Sequence, residues 1–98
     1  MEARAGQDLE IAKRGGLIRD YRRQVSVDLI VNGKTVRKWR VDFEVERNDG
    51  TTFLYEIKGM PTPEYLIKRD LFLAIYPDRE CWVNNERIST CGQARKFG

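Results

Sequence analysis

Residues 41–59 read VDFEVERNDGTTFLYEIKG, and this stretch decides the fold. Val41, Phe43 and Val45 alternate with Asp42, Glu44 and Glu46, which is the two-residue period of a strand with one apolar and one polar face. Asn48-Asp49-Gly50 is turn chemistry, because these residues tolerate the backbone conformations a reversal needs. A second strand follows over 51–58, with Phe53, Tyr55 and Ile57 on one face and Leu54, Glu56 and Lys58 on the other, and Gly59 ends it. With Asp49 and Gly50 as the turn residues, position 42 pairs near position 57. Asp42 then lies close to both Glu56 and Lys58.

Working outward, QVSVDLIV at 24–31 predicts a strand with Val25, Val27 and Leu29 on one side. Asn32-Gly33 is a two-residue hairpin signal, and the return strand runs from about Thr35 to Arg47. Residues 2–14 are rich in helix formers, with Ala5, Leu9 and Ala12 as a narrow apolar stripe, and Gly15-Gly16 stops the helix. Downstream, Thr62 reads as an N-cap and Pro63 as the first helical residue of a helix running to about Tyr76. Ile67, Leu71 and Ile75 give that helix an apolar face, and Pro77-Asp78 ends it. CWV at 81–83 is a short strand, and the mixed polarity from about Asn84 suits a flexible tail. The expected architecture is α/β in the order αβββαβ, a single domain over 1–98. A three-strand antiparallel meander joins a parallel fourth strand through a right-handed helical crossover, and helices flank the mixed sheet.

Composition restricts the chemistry. The chain has 98 residues, 18 Lys and Arg, 15 Asp and Glu, a net charge of +3 and no His. A Ser-His-Asp triad, a Cys-His dyad and a His-containing zinc site are therefore excluded. Cys81 and Cys91 are too few for a disulfide framework or a cysteine metal site. No apolar run approaches a membrane span, and the charged first residues, MEARAGQDLE, lack the character of a signal segment. A cytoplasmic protein is the expectation. Arg outnumbers Lys twelve to six, a bias that suits bidentate phosphate contacts. Lys13, Arg14, Arg19, Arg22 and Arg23 form a basic cluster opposed only by Asp20, and either a DNA-backbone surface or a solvated helix end accounts for it. Glu44 and Glu46 read as solvated, and Trp39 and Trp82 as packing residues.

Two carboxylates and an amine converging on one hairpin suit phosphodiester hydrolysis without His. Carboxylates hold Mg²⁺ or Mn²⁺, the ion polarises the phosphate and acidifies water, and a lysine stabilises developing negative charge. The same residues also read simply as surface charges, with Asp42 and Lys58 a cross-strand pair.

Val41-Asp42-Phe43, twelve residues, then Glu56-Ile57-Lys58-Gly59 resembles the signature of the PD-(D/E)xK nuclease superfamily, with Val41 in place of its proline. The likeness extends through Thr62-Pro63-Glu64-Tyr65, Lys68-Arg69, Leu71-Phe72 and Tyr76-Pro77, and upstream through Gly16-Leu17-Ile18 and Arg23-Gln24. The whole run is similar to a small phage-encoded family of nuclease-like proteins, formerly described only as a domain of unknown function and related to Holliday junction resolvases. The resemblance implies a restriction-endonuclease-like core and a Mg²⁺- or Mn²⁺-dependent DNA endonuclease. Asp42, Glu56 and the Ile57 carbonyl would be metal ligands and Lys58 the catalytic lysine. It implies a further carboxylate from the first helix, for which Glu2 and Glu10 are the candidates, Glu2 fitting the family's spacing better. Gln24 would support the site, and Arg22, Arg23, Lys68 and Arg69 would contact phosphates.

A chain this small has little surface for reading sequence, so cleavage selective for branched DNA, or of low sequence specificity, is expected. A homodimer would bring two sites to two strands, and no organic cofactor is called for. The rival expectations are a non-catalytic nucleic-acid-binding module or phage complex subunit on the same fold, and an RNA-directed nuclease.

Overall fold

A computed structural model describes residues 2–88, with side chains from residue 4 onward. The order is α1 (Glu2–Arg14), β1 (Asp20–Val31), β2 (Lys34–Glu46), β3 (Thr52–Glu56), α2 (Pro63–Ile75), β4 (Cys81–Val83) and β5 (Glu86–Arg87). The five strands form one sheet in sequence order, antiparallel throughout except for β3 and β4, which run parallel. The helical crossover between β3 and β4 is thus as expected. Of the tail expected from residue 84, Asn84 and Asn85 instead turn the chain into β5, with Asn84 at φ 56. Residues 89–98, Cys91 included, lie outside the described residues.

The β1–β2 reversal at Asn32-Gly33 has φ 52 and 78, the two positive values a type I′ turn requires. The β2–β3 turn is one residue longer than expected. Arg47 N–H donates to the Thr51 carbonyl, and the Asp49 carboxylate accepts from the Thr51 N–H and hydroxyl, so three residues rather than two form the loop. Phe43 therefore faces Tyr55 and Glu44 faces Leu54. Continued by one pair, that register sets Asp42 opposite Glu56 rather than Ile57.

The helices cover opposite faces of the sheet. Leu54 packs with Tyr65 and Phe72 of α2, whereas its neighbours Phe53 and Tyr55 join Ala5 and Leu9 of α1. On β2 the sequence pattern placed Val41, Phe43 and Val45 on one side. All three are fully buried, but Val41 lies in the α2 cluster and the other two in the α1 cluster. The cause is a kink: Arg23 faces Phe43 and Val25 faces Val41, and between them Gln24 adopts φ 54. The strand pair changes face at positions 24 and 42, which puts Asp42 at the irregularity.

Thr62 caps α2 as expected, its hydroxyl accepting from Tyr65 N–H at 3.2 Å, with Pro63 in the first turn. Of the expected ridge, Leu71 and Ile75 pack against the core, while Ile67 is 51% exposed; the buried residues of the helix are Tyr65 and Phe72. Trp39 decides the orientation, because its ring meets Phe72 at 5.1 Å and Tyr65 at 6.2 Å, and full burial of a Phe side chain contributes about 2–3 kcal/mol. In α1, Gly6 lies against the Arg23 guanidinium, which also stacks over Phe43 at 5.5 Å; a side chain at position 6 would meet it. No described helix is long and apolar enough to cross a membrane.

Candidate functional site

The kink at Asp42 takes its N–H out of the regular ladder and offers it to a side chain. Asp42 N–H donates to Glu56 Oε1 at 3.0 Å, and Ile57 N–H donates to Asp42 Oδ2 at 2.9 Å. Each carboxylate thus has one oxygen fixed by the other strand's backbone. The two carboxyl groups also lie within hydrogen-bonding reach of each other. Glu56 is the one buried charged residue of the described core, at 6% exposure. Burial, then the Asp42 charge, pushes its pKa up to about 7, with Lys58 opposing the rise.

Lys58 follows two residues on. Asn84 clasps its backbone from both sides, accepting from Lys58 N–H at 3.1 Å and donating to its carbonyl at 3.1 Å. The Lys58 ammonium rests over the Tyr65 ring at 5.0 Å. A cleft of about 280 Å³ opens here, with Trp39, Arg40, Glu56, Lys58, Tyr65 and Lys68 among its walls. Asp42 adjoins it through its bonds to Glu56 and Ile57. A second cavity, of about 430 Å³, lies beside the first, sharing Lys58 and Tyr65 and adding Arg69 and Asn84.

The other sequence candidates divide. Lys68 reaches the first cleft, paired with Glu64 at 3.2 Å, and Arg69 reaches the second, 3.7 Å from Asp70 and with its enclosed Nε unpartnered. Gln24 accepts from Arg40 at 3.2 Å and so supports a wall of the cleft through that arginine. Arg22 bridges Glu44, and Arg23 packs over Gly6 and the Phe43 ring; neither lines a cavity that Lys58 reaches. Glu10 has both oxygens engaged on the α1 side, by Tyr21 at 2.8 Å and Arg14 at 3.0 Å. The Glu2 side chain lies outside the described residues. Among the described residues no group of three or more His, Cys, Asp or Glu gathers in a metal-holding arrangement.

The basic cluster at the end of α1 and the start of β1 is largely neutralised. Lys13 pairs with Asp20 at 3.1 Å, Arg14 with Glu10 and Arg19 with Glu46 at 3.2 Å. Glu44, expected to be solvated, is held between Arg22 and Arg79, the latter at 2.6 Å, because the loop before β4 returns across β2. Sequence reasoning missed Asn84, Arg40 and Tyr65. Asn84-Asn85 between CWV and ERI was a legible turn signal for the first. Tyr65 stood in the Thr62-Pro63-Glu64-Tyr65 run without a role assigned to it, and nothing in the sequence marked Arg40.

A family model described as "Protein of unknown function (DUF1064)" matches residues 1–89. The chain belongs to the DUF1064 family. That match includes both strands of the carboxylate pair, Lys58, α2 and the Asn84 clasp, so the DUF1064 unit contains the whole cleft. No curated protein and no solved structure matches this DUF1064 chain.

Proposed function

We propose that this DUF1064 protein is a metal-dependent endonuclease that hydrolyses DNA phosphodiester bonds, selective for DNA structure rather than sequence. One observation carries the reading: Asp42 and Glu56 are locked together by reciprocal backbone bonds, with Lys58 in the same cleft. The donor set suits Mg²⁺ or Mn²⁺. Two half-buried to buried carboxylates at hydrogen-bonding distance repel each other unless a proton or a cation lies between them, and oxygen ligands are what a hard divalent ion takes. Asp42, Glu56 and the Ile57 carbonyl would hold the ion, with water and phosphate completing its shell. When bound, such an ion supplies Lewis-acid polarisation of a phosphoryl oxygen and acidification of water.

The chain's own residues do the rest. Lys58 places a positive charge against the phosphate, where negative charge develops in the transition state. The Tyr65 face under its ammonium and the Asn84 clasp on its backbone limit where that charge sits. Lys68 adds a second cation at the rim.

The test is incubation with branched, duplex and single-stranded DNA, and with RNA, in Mg²⁺ and in Mn²⁺. Cleavage of DNA by the wild type, lowered about 100-fold or more in Asp42→Asn and Lys58→Ala with binding retained, supports the reading. Binding without cleavage in either metal favours a binding module. That no three carboxylates gather in a metal-holding group among the described residues is the observation on that side.

A further inference from the structure

The described cations are unevenly committed. Ion pairs take up Lys13, Arg14, Arg19 and Arg22 around the end of α1, Lys68 on α2 and Arg79 before β4. Lys34, Arg37 and Lys38 make no ion pair among the described residues, and all are exposed. They belong to the β1–β2 hairpin, whose segment 25–40 carries Lys34, Arg37, Lys38 and Arg40 against a single acid, Asp28. Residues 30–38 of this hairpin are exposed throughout. The hairpin is an arm, and Arg40 at its base is a wall of the Glu56–Lys58 cleft.

Its cations face both ways. Leu29 pairs with Arg37 and Ile30 with Thr35, so Val36 is an extra residue on β2. That bulge shifts the alternation, placing Arg37 and Lys34 on one side of the ribbon and Lys38 and Arg40 on the other. From Arg40 to Lys34 the strand covers about 20 Å at 3.3 Å per residue. Along a B-form helix that distance corresponds to about six phosphates of one strand. A two-stranded ribbon is also of a size the major groove admits, with a phosphate backbone along each wall. Ile30, Val31 and Val36, each 41–46% exposed, give the arm's outer half an apolar surface between the charges.

We infer that the β1–β2 arm is the duplex-holding surface of this protein, engaging the phosphate backbones of a DNA double helix that leads away from the cleft. This rests on the endonuclease reading for the cleft itself, but the arm binds whether or not the cleft cuts. It locates backbone contact on Lys34, Arg37 and Lys38 rather than on the basic cluster around Arg22 and Arg23.

The experiment is fluorescence anisotropy of a short labelled DNA duplex in EDTA over a salt series, with wild type, the triple variant Lys34→Gln/Arg37→Gln/Lys38→Gln, and Lys13→Gln/Arg14→Gln/Arg19→Gln, which removes the same charge from ion-paired positions. The arm variant should bind about tenfold or more weaker at moderate salt, with a log–log salt slope shallower by about three, one for each phosphate no longer neutralised. The paired-cation variant should keep its slope. Wild-type slope in the arm variant, equal losses in both variants, tighter binding of single-stranded nucleic acid than of duplex, or no duplex binding by wild type overturns the inference. If the triple variant melts below wild type, the three single variants replace it, each expected to lower the slope by about one. Cleavage is scored separately in Mg²⁺. Arm-dependent binding without cleavage sinks the endonuclease reading alone, and cleavage with arm-independent binding sinks the arm alone.

Discussion

Replacing Glu56 by Gln should stabilise the fold above neutral pH while removing the proposed metal ligand. Glu56 has its pKa raised from 4.5 to about 7 by burial and by Asp42. The folded chain therefore holds this proton more tightly than the unfolded chain, and stability falls as pH rises from 4.5 through about 7. One pKa unit corresponds to about 1.4 kcal/mol, so the ionised carboxylate costs about 3 kcal/mol at pH 8. The substituted glutamine would be neutral at every pH. It keeps an oxygen for the Asp42 N–H, and its amide can donate to the Asp42 carboxylate within reach. Glu56→Gln should thus exceed wild type by about 2 kcal/mol or more at pH 8, about 10 °C in Tm, and match it near pH 4.5. Urea unfolding followed by tryptophan fluorescence, with EDTA present, measures this across pH 4.5–8, and an unchanged m-value certifies the comparison. Equal stability of the two proteins at pH 8, or a wild type whose stability is flat from pH 5 to 8, refutes the account of the pair.

Three further outcomes follow from the same contacts. Mg²⁺ at saturating concentration should raise the wild-type Tm at pH 8 and leave Glu56→Gln nearly unmoved, as differential scanning fluorimetry would show, because only an ion bound to the folded state stabilises it. Arg47 grips Glu80 at 2.6 and 2.9 Å and, with Trp82, holds its pKa down to about 2; this contribution is present above pH 4.5 and is lost as pH falls through 2. Arg47→Ala should cost about 1–2 kcal/mol at pH 7, a figure kept low by the pair's partial exposure, and progressively less in acid, read by chemical denaturation at pH 7, 4 and 2. Asn84→Ala should cost about 1–2 kcal/mol and slow cleavage by loosening Lys58, whereas Asn84→Gly, which accepts φ 56, should be less destabilised yet equally slow; melting curves and single-turnover rates separate the two effects.

Much of the topology was legible because its signals are local. Asn32-Gly33, the Thr62-Pro63 helix start and the alternation along 41–58 each act over a few residues. The β5 hairpin was missed because a two-residue strand has no periodicity to read. The expected ridge of α2 held at Leu71 and Ile75 but not at Ile67, for a different reason: Trp39, twenty-six residues before Tyr65, draws Tyr65 and Phe72 inward, and no helical repeat encodes its position. Within the basic cluster, Lys13 and Arg14 pair with the nearby Asp20 and Glu10, but the partners of Arg19 and Arg22, Glu46 and Glu44, lie on the neighbouring strand, invisible to a count of nearby charges.

What the sequence by itself determined was the chemistry on offer. Without His, acid–base or metal chemistry on a phosphate must run on Asp, Glu, Lys, Tyr or water, and Asp42, Glu56 and Lys58 fall on two strands joined by one turn. What only the tertiary structure decided was how those groups meet. A three-residue loop instead of a two-residue one moved the register by a single position and set Asp42 opposite Glu56. A kink at Gln24 accompanied the release of an amide to the Glu56 carboxylate. Burial beneath α2 then made the juxtaposed charges costly enough to favour a proton or a cation between them. Register, kink and burial depend on contacts between residues distant in the chain, so local pattern alone does not specify them.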